Sequence, residues 1–278
     1  MGRTIFRICG LIALIFLLLG AIYIVKGQNK VSDYNADKIE VSFLKLKNDA
    51  DSILMQNGNQ NVLIDTGEKE DAEDVIAYLK SKEVSEIQCL ILTHYDKDHI
   101  GGAEAIINNF TVKNIIRPYY NKDGKEYTDL INKIEEKNII TTIPTKISNY
   151  TVGDINLRVY PPLKKEYADD NNYSLVTLAN YKDINILFAG DAVKKRSEEL
   201  LNIDWPKINI YKVPHHGRAN SNSKELINSI KPDYAVVTSK DADATIKDAC
   251  EEEDTKLIFT GAGTITFSSD GSKVVLDK

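Results

Sequence analysis

The chain of 278 residues is poor in cysteine, poor in histidine and short of positive charge. Its three cysteines are scattered: Cys9 in an apolar N-terminal run, Cys89 inside "IQCLIL", and Cys250 in an acidic stretch of helical character. That spacing excludes a disulfide framework and a cysteine-based zinc site, and Cys89 reads as a small apolar core residue. Export is not excluded, because an exported protein does not require disulfides. With 35 basic against 41 acidic residues and a formal charge of -6, the chain lacks a broad basic surface for sequence-independent grip on nucleic acid. Any polyanion must be held locally. The four histidines fall in two places only, His94 and His99 in "LTHYDKDHIGG" and His215 and His216 in "KVPHHGRANS".

The other scarcity is of long uncharged runs, and the one present is N-terminal. Between Arg7 and Lys26 the stretch Ile8 to Val25 carries no charge over 18 residues, which as a helix spans roughly 27 Å, close to the hydrocarbon core of a bilayer. A cleaved signal peptide is the competing reading, but "GAIYIVKG" supplies no A-x-A-like cleavage site. The sequence therefore predicts a single-pass transmembrane anchor over residues 1–26, a polar tether over 27–38, and one large domain over 39–278. Arg3 and Arg7 nearly balance Lys26 and Lys30, so flanking charge barely sets orientation. An exported, extracellular domain is expected because a protein that stays soluble has little use for an anchor.

Past residue 38 strands and helices alternate. "IEVSFLKL", "DSILMQ" and "QNVLIDTG" read as strands, and "KEDAEDVIAYLKSK" has the helical period. "EIQCLILT" is a continuous apolar run of the kind buried on both faces of a sheet. Helices near Ala103–Asn109 and "EYTDLINKIEEK" follow, then several strands through "INILFAGD". The helix "KKRSEELLNI", the strand "INIYKV", the helix "SKELINSI", the strand "DYAVVTS" and a terminal hairpin around "SSDG" complete a second series. No repeat or low-complexity block interrupts it. The alternation predicts an α/β fold of sheets covered by helices, with two similar halves.

Three places join a strand end to metal-ligand side chains: "THYDKDH" after "CLIL", "GD" after "NILFA", and "PHHG" after "IYKV". In α/β sheets such groups gather at the carboxyl ends of strands, so loops about 100 residues apart can converge. The first supplies His94, Asp96, Asp98 and His99, the second Asp191, the third His215 and His216. A tight loop cannot wrap four side chains around one small ion, whereas alternate positions can serve two neighbouring divalent ions.

"LIDTG", "THYDKDHIGG", "FAGD" and "KVPHHG", in this order, resemble the metallo-beta-lactamase superfamily from about residue 39 to 278. Within it, "THYDKDHIGG", "NNYSLV", "AGD" and "PHHG" are most similar to the beta-lactamase-like domain of ComEC-type competence proteins. The resemblance implies an αββα sandwich with a dinuclear site. His94 and Asp96 would face one metal, Asp98 and His99 the other, Asp191 would bridge, and a histidine of "HHG" would complete the second. His216 precedes the glycine and is slightly favoured over His215. Asp65 of "LIDTG" would support the site from behind the ligands. Two departures stand out. "DDNNYSLV" has no histidine where the family often has one, leaving Asn171, Asn172 or Ser174 nearby, and "KNDAD" replaces a glycine-rich "GQGD".

Two such ions make hydroxide near neutral pH and neutralise charge on a leaving group, so hydrolysis is expected. Asp98 and Asp191 are the expected catalytic carboxylates. The oxygen-rich set leans towards manganese without excluding zinc. Arg218, Asn220, Ser221 and Asn172 are the substrate-binding candidates, with Arg218 able to pair with a phosphate oxygen. The leading reading is a membrane-anchored phosphodiesterase or nuclease, with DNA as substrate by resemblance. The alternatives are hydrolysis of a cell-wall phosphodiester or other small ester, and a catalytically idle surface module. β-Lactam hydrolysis is disfavoured by the missing histidines.

Overall fold

The computed structural model describes residues 37–277. The expected membrane helix and all of the tether before residue 37 lie outside the described residues. Among those described, no helix is long and apolar enough to cross a membrane.

Three strands come first, Ile39–Phe43 (β1), Ile53–Asn57 (β2) and Gln60–Ile64 (β3), then the helix Ala72–Ser81 (α1). Glu86–Ile87 (β4) and Cys89–Ile91 (β5) lead into the short helices Lys97–Ile100 (α2) and Ala103–Asn109 (α3). Thr111–Val112 (β6), Asn114–Ile116 (β7), Lys125–Glu136 (α4), Ile140–Thr142 (β8), Ser148–Val152 (β9) and Ile155–Tyr160 (β10) follow. The second series is Val176–Tyr181 (β11), Ile184–Phe188 (β12), Lys194–Leu201 (α5), Ile210–Lys212 (β13), Ser223–Ile230 (α6), Tyr234–Val237 (β14), Ala244–Glu252 (α7) and Lys256–Phe259 (β15). Ile265–Ser269 (β16) and Val274–Leu276 (β17) form the terminal hairpin.

One sheet has the order β17-β16-β1-β2-β3-β5-β7-β8 and the other β15-β14-β13-β12-β11-β10-β9, with β4 and β6 paired separately. Because successive side chains of a strand point to opposite faces, each sheet divides its apolar residues between two cores. Cys89 and Ile91 face inward with Val41, Phe43 and Ile64, against Leu157, Ile186, Phe188 and Ile210 of the other sheet. Leu90, between them, faces outward onto Val75 and Leu79 of α1 and Ile106 of α3. Leu187 and Tyr211 do the same on the other side, meeting Leu200, Leu226 and Ile246 of α5, α6 and α7. The layers are thus α, β, β and α, the expected sandwich. Each fully buried Leu, Ile or Phe contributes about 1.5–3 kcal/mol to it. Burial also pushes the Cys89 thiol up to about 12, which makes it inert at neutral pH.

Helical character is expected around Cys250, between "DYAVVTS" and the last hairpin; the structure places α7 there and adds β15. Only Ile246, Ala249 and Cys250 of α7 are buried, within an otherwise polar segment. Their i, i+3, i+4 spacing is the helical one, carried by a single short turn of apolar residues.

Strands β3, β5, β7 and β8 run parallel in one sheet, and β12 to β15 run parallel in the other. The ends of β5, β12 and β13 therefore share one edge of the sandwich. Leu175 N donates to Thr93 O at 2.8 Å and Asp51 N to Asp98 O at 3.1 Å, which ties the loops of that edge together.

Candidate metal centre

The centre is organised from Asp65, one residue past the end of β3. Its backbone is left-handed, with φ 57°, an uncommon conformation outside glycine that turns the carboxylate back into the sheet edge. There Oδ1 accepts from Thr93 N at 2.8 Å, and Oδ2 accepts from Thr93 Oγ1 at 2.7 Å. Asp65 Oδ2 also lies 2.8 Å from His99 Nδ1. This bond assigns the proton to Nδ1 and leaves Nε2 facing the centre. The glycine pair after His99 lets this happen: a Cβ on Gly102 would lie 2.3 Å from Thr66 O, so only glycine permits the close approach. Gly190 plays the same part for Asp191, with φ 53° and the side chains of Thr93 and Ser174 about 3 Å from where its Cβ would stand.

Asp98, His99, Asp191 and His216 each offer a ligand atom within 4.8 Å of the others. His99 Nε2 lies 3.3 Å from Asp191 Oδ1 and 3.6 Å from Asp98 Oδ2. His216 Nε2 lies 3.1 Å from Asp98 Oδ2 and 3.3 Å from Asp191 Oδ2. His216 is buried and its Nδ1 meets Thr238 Oγ1 at 3.0 Å, whereas His215 is only half-buried and its ring stands 6.3 Å from that of His216. Both histidines have positive φ, 51° and 52°. Two consecutive non-glycine residues held left-handed mark a backbone bent to deliver a side chain.

His94 and Asp96 lie beside this group. His94 Nε2 is 3.7 Å from Asp96 Oδ2, and the His94 and His99 rings are 4.1 Å apart. Asp96 Oδ1 is held by the ammonium of Lys122, which also reaches Asp170 Oδ2 at 2.9 Å. Asn172 and Ser174, which stand in place of the family's missing histidine, are engaged elsewhere. Asn172 Oδ1 accepts from Arg196 N at 2.9 Å, its Nδ2 donates to Asp169 O at 3.3 Å, and Ser174 Oγ accepts from Asp191 N at 3.1 Å. Asn172 thus braces the loop before β11 against α5 rather than opening towards a substrate.

The residues present fit divalent cations. His94 Nε2 and His99 Nε2 are buried without a hydrogen-bond partner, and unpaired buried nitrogens aimed among carboxylates call for a ligand. The group Asp51, Asp65 and His99 is also compact, but it uses the Nδ1 already given to Asp65, so it supports the centre and is not another ion site.

The charges compensate one another. Burial opposes ionisation of His99, His216, Asp191 and Asp98, and the opposite charges around them outweigh it. Asp191 and Asp65 hold His99 well above the usual histidine range, and Asp191 and Asp51 hold His216 up to about 10. Asp191 in turn is held well below the carboxylate range by His99, His216 and Lys212, and Asp98 is lowered by His216 and His99. His215 is lowered, chiefly by burial.

Two groups were not singled out from sequence. Lys212, the last residue of β13, is fully buried, pairs with Asp51, and reaches Asp191 Oδ1 at 3.3 Å and Gly190 O at 3.0 Å. Asp51, also buried, has Oδ1 3.4 Å from His216 Nδ1. Each left a signal: a lysine inside the apolar strand "INIYKV", and an aspartate ending both "KNDAD" and the family's "GQGD".

The residues after "HHG" lie at the rim. Arg218 is exposed and pairs with Asp49 at 3.0 Å. Asn220 N donates to Ser223 Oγ at 2.8 Å, and its amide meets Ser197 Oγ at 3.3 Å. Ser221 is exposed.

A family model for the metallo-beta-lactamase superfamily matches residues 48–238. ComE operon protein 3 of Bacillus subtilis is 27% identical over 167 residues, 59% of this chain and 21% of that protein. Recombination protein 2 of Haemophilus influenzae is 27% identical over 193 residues, 68% of this chain and 22% of that protein. The chain thus spans under a quarter of the length of either relative. The metallo-beta-lactamase fold protein YhfI from Bacillus subtilis superposes with a TM-score of 0.57 at 12% identity, covering 83% of this chain and 99% of that one. At that identity the likeness concerns the fold alone. With the sandwich, the ligand-bearing strand ends and the family match in agreement, the chain belongs to the metallo-beta-lactamase superfamily.

Proposed function

We propose that the chain is a metal-dependent phosphodiesterase that cuts nucleic acid. The observation carrying this reading is the convergence of Asp98, His99, Asp191 and His216 within 4.8 Å, beside His94 and Asp96. Divalent ions held there would supply a hydroxide at neutral pH and neutralise charge on a phosphate. His99 and His216 offer neutral imidazole once their protons leave, with Asp65 and Thr238 fixing the other ring nitrogen. Asp191, buried at the end of β12, faces both histidines and is placed to span two ions. Asp98 is the one of the four that is not buried, so it faces the solvent side, where it can orient a water and take up its proton.

Carboxylate oxygens make up half of the four-residue group, which favours manganese over a nitrogen- or sulfur-seeking ion, with zinc as the alternative. His94 and Asp96, beside the shared Asp191, would hold a second ion more weakly. Competence and recombination stand in the names of the curated relatives, and this supports DNA as the substrate. The unpaired nitrogens of His94 and His99 argue against an idle module. The apolar run Ile8 to Val25 supports a membrane anchor with the domain outside the cell.

The full chain, purified in detergent, is to be assayed with manganese and with zinc on single-stranded DNA, double-stranded DNA and bis-p-nitrophenyl phosphate. Metal-dependent cleavage of DNA is expected. Inertness towards all three with either metal would overturn the reading.

A further inference from the structure

The loop between β10 and β11, residues 161–175, is long and carries one short helical turn, Asp170–Tyr173. Loops beyond about 12–15 residues are uncommon in compact domains and are usually kept for a function. This one reaches the metal centre at four points. Ser174 Oγ accepts from the backbone of Asp191 at 3.1 Å, and Leu175 N donates at 2.8 Å to the carbonyl of Thr93, the residue before His94. Asp170 Oδ2 takes the ammonium of Lys122 at 2.9 Å, and the same ammonium holds Asp96. The Tyr173 ring stacks on Tyr120 with centroids 4.1 Å apart, and Tyr120 Oη accepts from Tyr95 N at 2.8 Å.

What fixes the loop lies outside it, on α5, the helix that begins three residues after Asp191. Arg196 of that helix is fully buried, and its guanidinium makes three bonds. Nε donates to Ser174 O at 3.0 Å and Nη2 to Tyr160 O at 2.5 Å, which are carbonyls at the two ends of the loop. Nη1 donates to Glu199 Oε2 at 2.7 Å. Glu199 in turn gathers the outer part of the loop, since Oε2 accepts from Leu163 N at 3.2 Å and Oε1 from Tyr167 Oη at 2.5 Å. Two side chains one helical turn apart thus hold the loop at four places. For core packing alone an apolar side chain of similar size would serve as well. What arginine adds is the rigid planar fork, which reaches two carbonyls and a carboxylate at once.

We propose that Arg196 and Glu199 are positioning residues of the metal centre. By closing the 161–175 loop they set Asp191 through Ser174, and Asp96 through Asp170 and Lys122, and so fix the geometry at which both ions bind. They act on the ligands only through the loop. Their role depends on the metal centre and not on the substrate it cuts.

The test is metal binding without turnover. The full chain in detergent, freed of metal, is titrated calorimetrically with manganese and with zinc as wild type, Arg196→Met, Glu199→Gln and Leu200→Ala. The last removes an apolar anchor of the same helix and keeps both clamp residues. All are measured at a temperature where circular dichroism shows them folded. Arg196→Met and Glu199→Gln are expected to bind metal roughly 10–100-fold more weakly in both events, the loss typical of groups that orient ligands. They are also expected to exchange the amide hydrogens of residues 161–175 faster than wild type. Leu200→Ala, though less stable, is expected to bind metal as wild type does. If Arg196→Met does not fold, Glu199→Gln decides. Wild-type affinity in Glu199→Gln would overturn the role, and so would an equal loss in Leu200→Ala, which would show that α5 acts through general stability. No metal binding by wild type would overturn it together with the centre, whereas metal binding without DNA cleavage would count against the phosphodiesterase reading alone.

Discussion

The ammonium of Lys212 lies 3.3 Å from Asp191 Oδ1 and is also paired with Asp51, with all three side chains buried. Burial opposes the charge of Lys212, and Asp51 and Asp191 raise its pKa above the ordinary lysine range nonetheless. The centre thus contains a fixed cation of its own beneath the carboxylates that would hold metal. Replacement of Lys212 by Met leaves two buried carboxylates short of a partner. A loss of about 3–5 kcal/mol of folding stability is expected in EDTA, and a smaller loss with manganese, which binds the folded state. Urea denaturation with and without metal checks both, and a loss below about 1 kcal/mol in EDTA contradicts the role given to this pair.

Two metals of unequal affinity are expected. Asp98, His99, Asp191 and His216 gather within 4.8 Å and would hold one ion, while a second would have only His94 and Asp96 as ligands of its own beside the shared Asp191, and Lys122 holds Asp96 from the other side. Titration calorimetry should resolve a tight and a weak event. Lys122→Met should weaken the second by roughly 10–100-fold, as for other groups that orient a ligand, and leave the first in place. Equal weakening of both events would show that Lys122 does not act through Asp96.

His216, not His215, is expected to be a ligand, because buried His216 has Nε2 meeting Asp98 and Asp191 while His215 is only half-buried and forms no ion pair among the described residues. Elemental analysis after purification without chelator should find metal depleted in His216→Ala and retained in His215→Ala. The opposite pattern would move the ligand to His215.

The metal-free protein should lose stability in mild alkali. His216 is held up to about 10 in the folded chain, against about 6.5 when unfolded, and His99 is raised as well. Their stabilising charge is fully present below about pH 6.5 and is lost as pH rises towards about 10. Asp191 and Asp98 are lowered, so their contribution is present above the ordinary carboxylate range and lost in acid. Melting in EDTA should therefore be highest in mildly acidic buffer and lower at pH 9. Metal should remove the alkaline loss, because its binding releases the same protons. A metal-free protein as stable at pH 9 as at pH 6 would contradict the charged histidines.

Much of this architecture is legible in the sequence, and for particular reasons. "EIQCLILT" reads as a strand buried on both faces, and the structure divides it between two cores, with Cys89 and Ile91 inward and Leu90 outward. "THYDKDH", "AGD" and "PHHG" stand out because each follows such a strand, and parallel pairing brings their ends to one edge. The Asp51–Lys212 pair is less legible, since a single charge in an apolar strand gains meaning only when its partner 161 positions away is known. The surroundings of Asn172 are equally hidden, because its side chain answers to the backbone of Arg196 in α5. Strand β15 is faint because none of its four residues is fully buried.

The central claim is that phosphodiester cleavage occurs at the centre through Asp191. The most direct measurement is the rate of metal-dependent cleavage of single-stranded DNA by Asp191→Ala beside wild type, with manganese in excess and contaminating nuclease excluded. Asp191 is buried against Lys212, His99 and His216, so its loss costs stability too, and the rates are compared at a temperature where circular dichroism shows both proteins folded. The variant's rate should fall by more than the roughly 10–100-fold typical of losing a group that merely supports a ligand. Equal rates for the two proteins would place the chemistry elsewhere and contradict the account.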